Sequence, residues 1–390
     1  MSRAAARHGL SGTPGKLGRA LAVAGTFLVA LVFAGCGGTA PSGQPVSAPP
    51  GSGGSAWDQL VAAAKREGKV VVKGPPTAAV RTELPAAFRQ RFGIEMEYVG
   101  GPSGEAVTQM ASERKAGLYS TDVVLSGADS MYTGFYGQKM LDPLKPALVL
   151  ADALDASKWP DGQLWFMDPE GQYILRLNAS LNRAMQINTE QIKPGMITSW
   201  RDLLKPEFAG KIGAFDPSVS GAGLSDAAYL INQLGIDFAR KLYVEQKPAF
   251  TRDHRELADW LARGKYPVAM SLREVEFQQL KKDKFPVDYV LDLQDASGQL
   301  SGGFGLLALM NNAPHPNAAK VVVNWLASKD GMETWSKAQF IVPVRLDTDK
   351  SIYPKEYVPD PGKKYFDGYG WDWVLNQRQQ TMAEMQKLLR

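Results

Sequence analysis

The loop Asp216–Gly223, read together with Phe215 as FDPSVSGAG, has the residue types that hold a small anion. Ser218 and Ser220 offer hydroxyl donors, while Gly221 and Gly223 let a ligand approach the backbone. The apolar run Leu224–Leu234 that follows reads as a helix, and the free N–H groups at a helix start favour negative charge. The competing reading is an ordinary serine-capped helix start. Two further loops have the same form: Gly74-Pro75-Pro76-Thr77, with Thr77 as its polar handle, and Ser126-Gly127-Ala128-Asp129. Each also reads as plain strand-to-helix turn chemistry. Arg273, beside Glu274, is either a guanidinium that clasps a carboxylate or phosphate, or one half of a surface pair with Glu274 or Glu276. Arg176 is a second, weaker cation. Such loops converging on one cleft suit a small, strongly polar solute.

Catalytic chemistry is poorly represented. Cys36 is the only cysteine, so disulfides, cysteine–zinc sites and thiol nucleophiles beyond it are excluded together. After residue 55 there are two histidines, His254 and His315, at no spacing that suggests a metal cluster. Carboxylates such as Asp129, Asp168 and Glu274 are present, but no triad, metal motif or cofactor loop accompanies them. No catalytic residue, metal ligand or cofactor is therefore assigned, and the chain is not expected to be an enzyme. The formal charge is +4, yet four of the 44 basic residues and none of the 40 acidic ones lie in the first 55 positions. The remainder carries 40 of each and is neutral. That speaks against nucleic acid as a partner, which requires a concentrated basic face.

The first 35 residues read as an export signal: Arg3, Arg7, Lys16 and Arg19, then the apolar run Leu21–Gly35. The run falls short of the roughly 20 apolar residues of a membrane span. Leu31-Val32-Phe33-Ala34-Gly35-Cys36 resembles a lipobox, with Phe33 where leucine is usual, which implies lipid attachment at Cys36 and a place in the cell envelope. Residues 36–55, nearly all Gly, Pro, Ser and Ala, read as a flexible tether with a reach of roughly 25 Å.

Positioning those loops requires elements of a particular order. Helical patterns at Trp57–Gly68, Thr82–Gly93 and Ala106–Ala116 alternate with strand patterns at Lys69–Lys73, Ile94–Val99 and Asp122–Leu125. The alternation resumes with strands at Lys211–Phe215 and Pro267–Ser271 and helices at Leu224–Leu234 and Arg255–Gly264. This predicts an α/β chain with mostly parallel sheets and flanking helices, whose ligands bind beyond the carboxyl ends of the strands. Trp200–Leu204 reads as an amphipathic helix capped by Ser199, and Pro314-His315-Pro316 as the start of another. Tyr353–Trp373 reads as a wrapping loop, followed by a helix over Val374–Leu389.

Four stretches taken together resemble the type II periplasmic solute-binding proteins of ABC importers, the group with ferric-ion, polyamine and thiamine receptors. They are Trp57–Thr77, Thr121–Pro146, Ser199–Ile212 with Phe215–Gly223, and Gly302–Arg345. The resemblance implies two α/β lobes closing on a ligand in the cleft between them, residues 56–180 with 300–345 and residues 181–299 with 346–390. It implies a monomeric, membrane-tethered receptor that captures a small anionic solute and passes it to a permease. A sensory or scaffold lipoprotein without a permease and an iron-chelate receptor are the alternatives. Ferric-binding members carry adjacent tyrosines after the strand equivalent to Pro267–Ser271; here Leu272-Arg273-Glu274-Val275-Glu276 stands instead, which disfavours free ferric ion.

Overall fold

The run Val70-Val71-Val72 forms a strand because β-branched side chains pack well on a pleated surface covered from both faces. A computed structural model describes residues 54–193, 195–219, 221–291 and 293–389, all within one compact unit, Gly53–Arg390. Thirteen further strands follow this first one. In chain order they are β1 Lys69–Gly74, β2 Glu95–Gly100, β3 Val123–Ser126, β4 Leu141–Asp142 and β5 Leu175–Arg176. Next come β6 Ser180–Leu181, β7 Met185–Asn188, β8 Ile212–Phe215, β9 Ala249–Thr251, β10 Val268–Met270 and β11 Val287–Tyr289. The last three are β12 Gln299–Ser301, β13 Leu306–Met310 and β14 Phe366–Asp367.

They make two main sheets and a small third one. The first runs β2-β1-β3-β13-β4 with β5 also on β13, the second β11-β7-β10-β8-β9, and the third β14-β12-β6. Parallel ladders join β1 to β2 and β3, and β8 to β9 and β10. In the two main sheets the antiparallel ladders come from β13 and β7. Both of these strands follow a strand of the third sheet, so each enters at the edge where the parallel strands end. The register shows it: Leu306 opposes Ser126 at the end of β3, and Met185 opposes Met270 at the end of β10. The fold is thus mixed α/β in two halves, with helices flanking each sheet.

Helices lie close to their expected places because local signals set their ends. Ser55 and Asp58 form a reciprocal cap at the start of Ala56–Glu67, and Gly68, at φ 71°, ends that helix. Pro316 opens Pro316–Ala327 at its first position. Trp200–Leu204 differs from the sequence expectation. Ser199 caps it and Trp200 and Leu203 are buried, yet it is a single tight turn. Lys205 precedes Pro206, which disfavours helical backbone there.

Each main sheet has its own core. Phe88, Leu84, Val72, Leu125, Trp325 and Trp335 belong to the first, and Trp200, Phe208, Ile212, Leu230 and Met270 to the second. The tail is shared between halves. Trp373 and Val374 pack with Val124 and Met131 of the first half, while Met385 lies in the second core.

The chain first leaves the first sheet at Asn178, whose side chain is fully buried. Its Nδ2 donates to Ser336 Oγ (2.8 Å) and to the Ile341 carbonyl (3.0 Å), and its Oδ1 accepts from Trp335 Nε1 (2.7 Å). Removing that indole donor leaves a buried acceptor short of a partner. Trp335→Phe should therefore lower stability by about 1–3 kcal/mol in urea unfolding. An unchanged unfolding midpoint would show that this bond does not anchor the crossing.

Candidate functional site

Both sheets end their parallel strands in short loops that lead into helices, and the sequence candidates sit there. Thr77 takes the cap position of the helix Ala78–Phe92, but its hydroxyl makes no cap and donates to Gln339 Oε1 at 3.2 Å. Ser126 is buried at the end of β3, with its hydroxyl 3.2 Å from the Gly127 carbonyl. Asp129 accepts from Arg378 Nη1 at 2.9 Å. These three belong to the first half and share its carboxyl edge.

On the second sheet, Asp216 organises the glycine-rich loop. Its Oδ1 accepts from the Ser218 backbone N–H (2.8 Å) and hydroxyl (2.6 Å), and its Oδ2 from Arg252 Nε (2.8 Å). Burial pushes the Asp216 carboxyl up, but the donors from Ser218 and Arg252 more than offset it and hold it below the usual range. The Ser218 hydroxyl is therefore spent within the loop. Gly221 has a φ of 146°, a backbone region that side chains rarely adopt. At Gly223 a Cβ would collide with the Phe215 and Asp216 carbonyl oxygens, so glycine here lets the helix Ala222–Leu234 close onto β8. Ser220 lies outside the described residues, as does Cys36.

Arg273 and Glu274 part company at the start of the helix Glu274–Lys282. Arg273 is 57% exposed and forks onto Glu276, one turn along, with Nε to Oε2 at 3.1 Å. Of its two readings, the surface pair is the one this geometry realises. Glu274 is turned inward, accepting from the Tyr289 hydroxyl and from Gln278 Nε2 (2.6 Å). Burial pushes the Glu274 carboxyl up against those two donors. Nearby His254 stacks on Phe215 with ring centroids 4.0 Å apart, and its Nδ1 accepts from the Arg273 backbone N–H at 3.4 Å. Burial, then the positive charge of Arg273, pushes this imidazole down to about 3.

One deeply buried carboxylate is a group the sequence reading passed over. Asp226, in the first half of Ala222–Leu234, is buried and accepts from Ser271 Oγ (2.5 Å) and from Asn182 Nδ2. Asn182 also donates to Gln299 Oε1 at 3.0 Å. Burial raises the Asp226 carboxyl to about 6, while the Ser271 and Asn182 donors pull the other way. The available signal was a lone carboxylate inside the apolar run AGLSDAAYLINQL.

The C-terminal segment completes the junction. Arg176 is fully buried, bonds both oxygens of Asp367 (2.9 and 2.8 Å), and lies 4.3 Å from the Trp165 ring centroid. Tyr132 donates its hydroxyl to the Tyr369 carbonyl at 2.7 Å, and Tyr369 donates its own to Gly303 at 2.6 Å. Arg378 starts the helix Arg378–Leu388, whose Met385 packs in the second core, and its guanidinium reaches Asp129 of the first half. Among the described residues, no group of three or more His, Cys, Asp or Glu is arranged to hold a metal ion.

Residues 83–362 match the sequence profile of the bacterial extracellular solute-binding proteins. The chain belongs to that family. An uncharacterized protein of Haemophilus influenzae is 19% identical over 317 residues, covering 79% of this chain and 86% of that one. Iron-bound HitA of Pseudomonas aeruginosa superposes with a TM-score of 0.63 at 16% identity, covering 82% of this chain and all but 1% of that one (99%). AfuA of Actinobacillus pleuropneumoniae, with fructose-6-phosphate bound, gives 0.62 at 18% identity over 82% and 97% of the two chains. Apo ferric ion-binding protein A of Pasteurella haemolytica gives 0.64 at 13% over 83% and 98%. At these identities the likeness shows the fold, that of two-lobe type II periplasmic binding proteins. Members of the family bind solutes and are not enzymes.

Two outcomes test this junction. Asp367→Asn should cost about 3 kcal/mol in urea unfolding, because it leaves the buried Arg176 guanidinium without its counter-charge; a cost near zero would mean the pair contributes nothing. His254 makes folding pH-dependent. Below about pH 6.5 the unfolded chain takes up a proton that the folded chain refuses, so this stability is present above 6.5 and lost as pH falls towards 3. Going from about pH 7 to about pH 5, the native chain should lose about 2 kcal/mol more than His254→Gln does. The Asp226 contribution has the opposite sign and cancels in that comparison. Equal losses in the two proteins would refute a neutral, buried His254.

Proposed function

We propose that this family member is the lipid-anchored receptor of an ABC importer, capturing a small anionic solute by closure of two lobes. In this reading the first 35 residues are removed, Cys36 carries the lipid, and residues 36–55 tether a monomeric body to the membrane. One lobe is built on the first sheet, residues 56–180 with 300–345, and the other on the second, residues 181–299. The tail from residue 346 straps the two. A membrane permease receives the solute from the closed form.

The observation that carries the reading is the placement of the helix starts. The parallel strands of both sheets end in polar, glycine-bearing loops, at Thr77, at Ser126–Asp129 and at Ser218–Gly223. Helix starts present N–H groups, and these favour oxyanions over cations. The same fold holds fructose-6-phosphate in AfuA, which supports a sugar phosphate as one class of solute to test. Iron is bound on the same fold in HitA, so iron chelates belong in any ligand panel.

Binding decides the matter. A ligand selective for the native state, present at 100 times its Kd, stabilises the protein by about 2.7 kcal/mol. Purified protein should therefore melt at higher temperature with at least one member of a panel of sugar phosphates, phosphonates, organic acids, polyamines and iron chelates. No shift across the panel would remove the receptor reading. Palmitate labelling in cells, expected to vanish in Cys36→Ser, tests the anchor separately.

A further inference from the structure

Lys73 stands where the strand pattern calls for an apolar residue. It precedes Gly74 at the end of β1, and its register partner is Val124 of β3. Val70 and Val72 face the first core, so Lys73 faces the opposite side with Val124. That side is covered by the helix Ser103–Lys115 through Val107 and Met110. Lys73 is only 6% exposed, and its Nζ makes one hydrogen bond, to Gln109 Oε1 at 3.0 Å. The Gln109 amide is held from its other end, with Nε2 donating to Glu113 Oε1 at 2.7 Å. Among the described residues, no carboxylate lies within ion-pair distance of Lys73.

A cavity of about 210 Å³, open to solvent, sits at this point. Lys73, Gly74, Gly100, Gly101, Ser103 and Phe135 are among the residues lining it. It is large enough for a small oxyanion, being many times the space that one water requires. Pro102 takes the cap position of Ser103–Lys115 and has no side chain able to cap it, so no cap side chain accepts from the first-turn N–H groups. Glu105, also on the wall, is exposed and makes no bond to Lys73. Burying an ammonium without a counter-charge is costly, and a local rule broken in this way marks a functional position more often than a structural one.

We propose that this cavity is an oxyanion subsite of the receptor, with Lys73 as its fixed cation and the start of Ser103–Lys115 as its second pole. It takes the phosphate, phosphonate or carboxylate end of the solute. The rest of the solute lies towards the loops of the second sheet. The proposal rests on the receptor reading above and adds the residue that selects charge.

Inorganic phosphate is the probe, titrated against the full chain at constant ionic strength and read by calorimetry and thermal melting. The native protein should bind it, and Lys73→Met should bind it about tenfold to a hundredfold more weakly, the loss of one charge-assisted hydrogen bond. Without phosphate, Lys73→Met should melt no lower than the native protein, because the buried uncompensated charge is gone. Gly101→Glu is the second variant. A Cβ at Gly101 meets nothing within 4 Å, so a carboxylate fits at the cavity wall and repels the anion. It should abolish phosphate binding even if Lys73→Met does not fold. No phosphate binding by the native chain, or equal binding in both variants, overturns the subsite. If other solutes stabilise native and variant proteins alike, the receptor reading stands and the subsite alone falls.

Discussion

Asp226 is where the separate parts of this chain are made to agree. A carboxylate without access to water is unfavourable unless its lone pairs are filled. Here the donors come from a loop after β10, through Ser271, and from the turn between β6 and β7, through Asn182. Asn182 is in turn tied to Gln299 of β12. One buried charge therefore fixes the second sheet, its first long helix and both crossing segments relative to one another. Ser271 takes a φ of 64° to reach it, a strained conformation for a serine.

The crossings have a second anchor of the same kind on the first sheet. Asn178 is satisfied on both sides of its amide by Trp335, Ser336 and Ile341. The two crossings join sheets whose parallel strands all end towards the same junction. Strands arriving from that junction must run antiparallel, which is why β7 and β13 interrupt otherwise parallel order. The loops capable of holding a solute collect at the junction for the same topological reason. The C-terminal strap, with Arg176–Asp367 and Asp129–Arg378, then ties the halves by side chains as well as by chain.

Charge at this junction is unevenly compensated. Arg176 has a bidentate carboxylate and Arg378 has Asp129, though among the described residues Arg176 Nη2 and Arg378 Nε have no hydrogen-bond partner. Lys73 has an amide alone. On the anion-receptor reading proposed above, uptake and release of the solute need positive potential that the protein's own carboxylates do not cancel. Full neutralisation would leave nothing for the solute, and no neutralisation would destabilise the empty form.

Much of the fold is legible in the residue order. Val70–Val72, the glycine stops at Gly68 and Gly93 and the Pro316 helix start are local signals, and local sterics and capping enforce them wherever the chain folds. The neutral charge after residue 55, the single cysteine and the glycine-bearing loop at Ser218–Gly223 are likewise properties of the chain itself. What tertiary structure decided is which polar groups face each other. Arg273 looks in sequence like a ligand cation and is taken by Glu276; Ser218 looks like a donor and is taken by Asp216. Lys73 and Asp226 are lone charges in apolar runs of the sequence, and each becomes a buried charge, one in either half. Spacing along a strand or helix sets the face a side chain occupies, but its partner comes from an element far away in sequence, and that meeting exists only once the sheets have packed.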